Sequence, residues 1–150
     1  MKLEEKLTKS IIDAMKSKDA IRLESLRSIK SALLLLKTKN RSKIISEIEE
    51  IQILQKLVKQ RKESASIYRD QKRTDLAQQE ETQSTIISEF LPKQASKQEI
   101  ENIIDKIIIE TKASSIQDMG KVMSEAKLIL AGKAEGKTVS IIVRKKLMHE

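Results

Sequence analysis

Apolar residues recur at every third or fourth position along most of this chain, which is the spacing of the buried side of an α-helix. Asp19 and Thr74 are predicted to cap the second and fourth helices, because their side-chain oxygens can accept a hydrogen bond from a free backbone amide. Asn40 and Ser42 predict a break before a third helix, which runs from about residue 44 to 71 and would be roughly 40 Å long. The apolar stripes of these four helices are Leu3, Leu7, Ile11 and Ala14 or Met15; Leu23, Leu26, Ile29, Leu33 and Leu36; Ile44, Ile48, Ile51, Leu54, Val58, Ala65 and Tyr68; and Leu76, Gln83, Ile87 and Phe90.

A second group of helices is predicted after Pro92. The residue before a proline avoids the helical conformation, so the fourth helix ends here and the chain divides into residues 1–91 and 92–150. Ser96 and Glu99 then fit a capping box, in which the hydroxyl accepts from one free amide and the carboxylate reaches back to another. The three stripes that follow are Ile100, Ile103, Ile104, Ile107 and Ile108; Met119, Val122, Met123, Ala126 and Ile129 or Leu130; and Val139, Ile142, Val143 and Leu147.

The connections in this second group are short. Ser115 and the aspartate three residues later fit a second, weaker capping box, and Thr138 can cap the last helix. Gly132 suits the left-handed position just past a helix end, and the glycine four residues later frees the turn. The candidate motif and turn residues are Gly120, Gly132 and Gly136. The predicted fold is therefore all-α, with an N-terminal long-helix bundle over 1–91 and a small three-helix domain over 92–150.

The composition supports helices and excludes several kinds of chemistry. Three glycines and one proline provide few turns, whereas strand-rich folds need many. Aromatic residues are 1% of the chain, so the core must be aliphatic. The chain has no cysteine, which excludes disulfides, thiolate nucleophiles and cysteine-based metal sites and fits a cytoplasmic protein. Neither a signal peptide nor an apolar run of membrane-spanning length is expected.

Catalytic motifs are not found. The single histidine is His149, which we expect to be frayed and solvated. No serine lies in a Gly-x-Ser-x-Gly motif, and the scattered glycines cannot form a phosphate loop. Adjacent acids such as Glu49 and Glu50, or Glu80 and Glu81, point about 100° apart on a helix and do not share a site. No catalytic residue, metal site or cofactor is predicted, although a mechanism that uses carboxylates alone stays open.

Basic residues are better organised than the acidic ones. The formal net charge is +8, which suits an anionic partner such as nucleic acid but also describes an ordinary solvated surface. Because aromatic side chains for base stacking are almost absent, a bound RNA would be structured and recognised by its shape and backbone. The candidate nucleic-acid-binding residues are Lys121, Lys133, Lys137, Arg144, Lys145 and Lys146 near the C-terminus, and Lys59, Arg61 and Lys62 on the third helix.

Three blocks of sequence resemble a known family. The first is Val58-Lys-Gln-Arg-Lys-Glu-Ser64 with Tyr68 and Arg73-Thr-Asp-Leu-Ala77, and the second is Phe90-Leu-Pro-Lys-Gln94. The third, and most specific, is Asp118-Met-Gly-Lys-Val-Met123 with Gly132-Lys-Ala-Glu-Gly136 and Val139-Ser-Ile-Ile-Val143. Together they resemble YqeY-like proteins of the GatB/YqeY family.

The resemblance implies a function in translation. It implies an all-helical, two-part protein whose C-terminal part is similar to the tail domain of the B subunit of glutamine-dependent aminoacyl-tRNA amidotransferase. In that enzyme the tail contacts tRNA. The leading hypothesis is therefore a cytoplasmic tRNA-binding or tRNA-associated accessory module without its own catalysis. One alternative is a partner-dependent component of a carbon–nitrogen ligase that uses glutamine as amido-N-donor, working with a tRNA-modifying or amidotransferase protein; another is a protein–protein interaction module.

Overall fold

The computed structural model describes residues 2–39 and 44–149, and within these ranges the chain forms α-helices and no strand. The all-α prediction is therefore confirmed. A short 3-10 turn, Ile116–Asp118, precedes the sixth helix. The helices are α1 Leu3–Ser17, α2 Ala20–Lys39, α3 Glu47–Asp70, α4 Thr74–Ser88, α5 Lys97–Thr111, α6 Met119–Ile129 and α7 Gly136–Leu147.

Contacts among the helices group into two compact units, Met1–Leu91 and Pro92–Glu150. The first unit contains α1 to α4 and the second contains α5 to α7. That each unit folds as an independent domain stays a prediction. Within the described residues, no helix combines the length and the apolar character that crossing a membrane requires.

The core of the first unit is built from buried residues of all four helices, α1 to α4, and most of them belong to the predicted stripes. Burying each aliphatic side chain of this kind contributes about 1.5–3 kcal/mol, which explains why the stripes face one another. The predicted Asp19 cap is confirmed, because its Oδ1 accepts a hydrogen bond from the Arg22 amide at 3.0 Å. The buried residues of this core are Leu3, Leu7, Ala14, Leu26, Ile29, Leu33, Leu54, Val58, Ile86 and Ile87.

The start of α3 differs from the prediction. Ile44 lies before the helix and Ile48 lies in its first turn, and both side chains are exposed, at 79% and 51%. The helix begins later because Ser46 is the N-cap: its hydroxyl accepts from the Glu49 amide at 3.2 Å, and the Glu49 carboxylate accepts from the Ser46 amide. Both isoleucines thus precede the part of α3 that packs against the bundle. The predicted break at Asn40 and Ser42 lies outside the described residues.

The boundaries of α4 also differ from the prediction. Thr74 is the first helical residue rather than the cap, and Arg73, at the N-cap position, makes no capping hydrogen bond through its side chain. The helix ends at Ser88, four residues before Pro92, because single-turn hydrogen bonds such as Leu91 N–H to Ser88 O replace the helical pattern. The proline therefore follows the helix end without causing it directly.

The second unit buries the predicted isoleucine stripe of α5 against α6 and α7. Leu130 is the buried residue at the end of the α6 stripe, and Ile129 is 47% exposed. All four predicted residues of the last stripe are buried, which confirms it. The buried residues of this core are Ile100, Ile104, Ile107, Val122, Ala126, Leu130, Val139, Ile142, Val143 and Leu147.

Ser96 caps α5 as predicted, since its hydroxyl accepts a hydrogen bond from the Glu99 amide at 3.1 Å. Within the described residues, the return bond from the Glu99 carboxylate does not form, so only half of the capping box is present. We expect Ser96→Ala to lower the free energy of unfolding by about 0.5–2 kcal/mol, measured by urea denaturation. Ser96→Asp keeps an acceptor at the same position and should retain most of that stability; equal losses in both variants would show that the cap contributes nothing.

The turn between α6 and α7 accepts two hydrogen bonds from residues 94 and 95, which lie just before α5. Gly132 has the predicted left-handed conformation, with φ 75°, and its carbonyl accepts from the Gln94 amide side chain at 2.7 Å. The Lys133 carbonyl accepts from the Ala95 N–H at 2.8 Å. Two turn predictions are wrong: Thr138 lies inside α7, and Gly136 is the first residue of that helix rather than a free turn position. The last of the three glycines, Gly120, likewise lies within α6.

Candidate nucleic-acid interface

The most concentrated positive charge of the second unit lies on α7. This helix carries four basic side chains and no acidic one. Lys137, Arg144 and Lys145 are exposed, and they form no ion pair within the described residues. The fourth, Lys146, is half-buried, and its Nζ lies 2.8 Å from the Asp105 carboxylate of α5. Three of the four charges are thus available to a partner.

Helical spacing places these three side chains on one side of α7. Lys137 and Arg144 are seven residues apart, which is about two turns and ~10.5 Å along the helix axis. The buried residues Val139, Ile142 and Val143 occupy the opposite side, so the basic side chains can contact a partner without exposing the core. Cations at a helix C-terminus also interact favourably with the helix dipole. The three basic residues at positions 144–146 therefore also stabilise the helix, and part of their clustering has this explanation without any partner.

Two further candidate lysines precede α7 in the second unit and are exposed. Lys121 is in the first turn of α6, and Lys133 is in the turn before α7. The backbone carbonyl of Lys133 is used inside the unit, as described above, but its side chain points to solvent. The turn geometry therefore has a structural role, while the two lysine side chains remain available.

Asp118, beside this surface, is held as a carboxylate. Its Oδ2 accepts hydrogen bonds from the Ser114 and Ser115 amides, at 2.8 and 3.3 Å, and these bonds stabilise the charged form. They lower the pKa of Asp118, with a smaller contribution from Lys121. Asp118, which the sequence pairs with Ser115 in a capping box, therefore accepts hydrogen bonds from backbone amides just before the 3-10 turn.

This arrangement predicts a pH dependence. A pKa lower in the folded state means that the Asp118 contribution to stability is complete above the pKa of the unfolded state and is lost as the pH falls through the folded value. We expect the carboxyl chemical shift of Asp118, followed by NMR, to titrate below the range of an ordinary aspartate. Asp118→Ala should reduce the loss of stability in this acidic window. A titration midpoint at or above the ordinary aspartate value would contradict the hydrogen bonding.

The basic residues of α3 are distributed differently. Lys59 and Lys62 are exposed and three residues apart on one side of the helix. Arg61 is half-buried instead, and its Nη2 donates a hydrogen bond to the Ser28 hydroxyl of α2 at 3.1 Å. At the end of the helix, Arg69 makes a two-bond pair with Glu81, at 2.7 and 2.8 Å. Only Lys59 and Lys62 of the three candidates on α3 therefore present fully exposed side chains.

The side chain of His149 is exposed, but it contacts a backbone carbonyl. Its Nε2 lies 3.3 Å from the Ser114 carbonyl oxygen, so the expectation of a frayed residue is wrong. In the part of the chain that the structure describes, no three acidic or histidine side chains come together as metal ligands.

Sequence reasoning missed one further feature, a groove of about 600 Å³ in the first unit. Its signal was the presence of Gln83 among the apolar residues of the α4 stripe. Gln83 is 8% exposed and lines this groove together with Arg61 and Tyr68. A glutamine in a buried stripe indicates a polar cavity rather than part of the apolar core.

These observations define an all-helical protein whose C-terminal unit exposes a basic helix without acidic residues. A family model described as "Yqey-like protein" matches residues 4–147. The chain belongs to this YqeY-like protein family, which confirms the resemblance found in its sequence. A protein of Schizosaccharomyces pombe, described as "Uncharacterized protein C22F3.15", is 29% identical over 90 residues, which cover 60% of this chain and 72% of the yeast protein.

Proposed function

We propose that this protein is a tRNA-binding accessory module that contacts structured RNA through the exposed basic side of its second unit. The observation that carries the proposal is α7, with three exposed basic side chains on one side and no acidic residue. Phosphate contacts by such side chains supply most of the sequence-independent affinity for nucleic acid. The resemblance of this unit to a tRNA-contacting tail domain makes tRNA the first RNA to test.

The charge distribution within the second unit supports a directional surface. Helix α5 carries more acidic than basic residues, whereas α7 carries only basic ones. A phosphate backbone would be attracted to α7 and repelled by α5, so an RNA would be oriented as it binds. Lys121 and Lys133 add charge on the elements just before α7. Lys59 and Lys62 of the first unit form a second, smaller candidate contact.

The direct experiment is filter binding of the purified protein to bulk tRNA and to a DNA duplex of similar length over a salt series. The proposal predicts saturable binding to tRNA with a steep negative dependence of log affinity on log salt. It also predicts tighter binding to tRNA than to the duplex, because shape as well as charge contributes. Absence of tRNA binding at low salt would reject the function. Sequencing of RNA that copurifies with the native protein would identify the species.

The two alternative functions give different results in companion assays. Several large apolar side chains of the second unit are exposed, including Ile109 at 76% and Leu128 at 68%, and this observation favours a protein-interaction module. Such a module would bind a protein partner without RNA and without salt sensitivity. A component of a glutamine-dependent ligase would release ammonia from glutamine only when its partner protein is present. Either result, together with no tRNA binding, would replace the proposal.

A further inference from the structure

The first unit contains a groove between α2, α3 and α4 that is lined mainly by polar side chains, and one of them, Arg61, has a buried nitrogen without a hydrogen-bond partner in the described part of the chain. The volume of the groove is about 600 Å³. The groove belongs to the first unit, whereas the basic residues of α7 belong to the second, and the groove plays no part in the function proposed above. Its lining residues are mainly polar: three glutamates, three glutamines, an arginine and the only tyrosine of the chain.

Gln83 lines the groove from α4. The residue is 8% exposed, and its side-chain amide forms no hydrogen bond within the described residues, although it is open to the solvent of the groove. The amide therefore offers both a donor and an acceptor to a ligand in the groove.

Arg61 carries the unpartnered polar atom of the groove. Its Nη2 donates to the Ser28 hydroxyl, but its Nε is buried without a hydrogen-bond partner, and the guanidinium forms no ion pair among the described residues. A guanidinium has five donors in a planar fork that matches a carboxylate. Within the described residues, Arg61 therefore has a hydroxyl as acceptor but no carboxylate partner.

The charge around Arg61 decides which kind of acceptor can enter. Glu24, Glu63 and Glu80 line the same groove, so its lining carries three carboxylates and one guanidinium. A simple anion would be repelled by this excess of negative charge, and a simple cation would leave Arg61 without an acceptor. A ligand that carries one carboxylate and two ammonium groups satisfies both requirements. Ile67 and Leu76 add apolar surface for an aliphatic stem, and the ring of Tyr68 can attract an ammonium group.

We propose that this groove binds a small cationic amino acid, with its carboxylate on Arg61 and Gln83 and its ammonium groups on the glutamates. Arg61 then faces a small ligand rather than an RNA phosphate. The proposal does not depend on the tRNA-binding function, and either can fail without the other.

The test uses the fluorescence of Tyr68, which has no competing tyrosine or tryptophan in the chain. L-Lysine is titrated against the full-length protein and compared with cadaverine, which is the same molecule without its carboxylate, and with 6-aminohexanoate, which lacks the α-ammonium group. We expect saturable binding of L-lysine that is at least about tenfold tighter than binding of either analogue, because each lacks one charged hydrogen-bonding group. Equal affinity for L-lysine and cadaverine, or no saturable signal with L-lysine, would overturn the proposal.

Two variants connect the signal to the groove. Arg61→Gln should abolish the preference for L-lysine over cadaverine, whereas Arg69→Gln, the same change at an exposed and paired arginine of α3, should leave it intact. Gln83→Leu should weaken L-lysine binding without lowering stability, because the amide offers hydrogen bonds to the ligand but forms none within the described residues. If Arg61→Gln does not fold, the ligand series on the unmodified protein still decides the result. An unchanged L-lysine preference in both Arg61→Gln and Gln83→Leu would exclude this groove.

Discussion

Replacing Ile104 with alanine is expected to destabilise the second unit by about 2–5 kcal/mol. Ile104 is 0% exposed and lies at the centre of a small aliphatic core without aromatic side chains. The substitution removes buried methyl and methylene groups, and the cavity is not easily refilled because the neighbouring side chains are themselves close-packed. The expected loss is a large part of the stability of a unit of this size.

The same helix offers a matched control. Ile109 is 76% exposed, so Ile109→Ala makes the same chemical change without opening a cavity and should alter stability by no more than about 0.5 kcal/mol. Urea unfolding followed by far-UV circular dichroism measures both variants. Equal effects of the two substitutions would contradict the burial assigned to Ile104.

The Ile104→Ala experiment also tests whether the two units fold independently. Tyr68 lies in the first unit and is the only tyrosine, so its fluorescence follows that unit alone, while circular dichroism follows helices in both. With independent folding, Ile104→Ala should shift the circular-dichroism transition to lower urea and leave the Tyr68 transition unchanged. A parallel shift of both signals would show that the chain unfolds as one cooperative unit.

The second large effect is expected for RNA binding. Changing Lys121, Arg144 and Lys145 together to glutamine should reduce the slope of log affinity against log salt by about three, since each lost phosphate contact reduces it by about one. Near physiological salt this corresponds to an affinity loss on the order of 100-fold. Stability should change little, because the three side chains are exposed and form no ion pairs within the described residues.

A control with the same charge change comes from outside the basic surface. Lys93, Lys97 and Lys106 are exposed residues of the second unit that lie on α5 or just before it. Their triple change to glutamine should reduce the slope by less than one, because only the general attraction of the protein for RNA is lowered. Equal losses in the two triple variants would mean that net charge alone attracts the RNA. No loss in the first variant would favour Lys59 and Lys62 of α3, or no RNA function.

The sequence predicted the helical fold well because helical periodicity and capping are local properties. The stripe of α5 and the Ser96 cap follow from residues three or four positions apart, and both are present in the structure. The errors occurred where two local signals competed. At the start of α3, the spacing of Ile44 and Ile48 predicted an earlier helix, but the Ser46–Glu49 capping box placed the start after both the cap and Ile44.

The candidate site was predictable only in part. That Arg144 and Lys145 flank the buried Val143 follows from their positions in the helix, and the structure shows both exposed. The sequence did not predict that Arg61 and Lys146 are half-buried and bonded to other side chains. Their partners, Ser28 and Asp105, lie 33 and 41 positions away in the chain. The groove at Gln83 is likewise lined by residues of three helices. The only indication of it in the sequence was one polar residue in an apolar stripe.

The sequence by itself thus determined the helices, most of their buried sides, the family and the excess of positive charge, since each depends on composition or on neighbours within a few residues. Only the tertiary structure decided which charged side chains are free and which are used inside the protein. Lysine and arginine have long, flexible side chains, so their partners are set by how the helices pack rather than by their own position in a helix. The same packing placed Arg61 and Gln83 in one groove and left the buried Nε of Arg61 without a hydrogen-bond partner among the described residues.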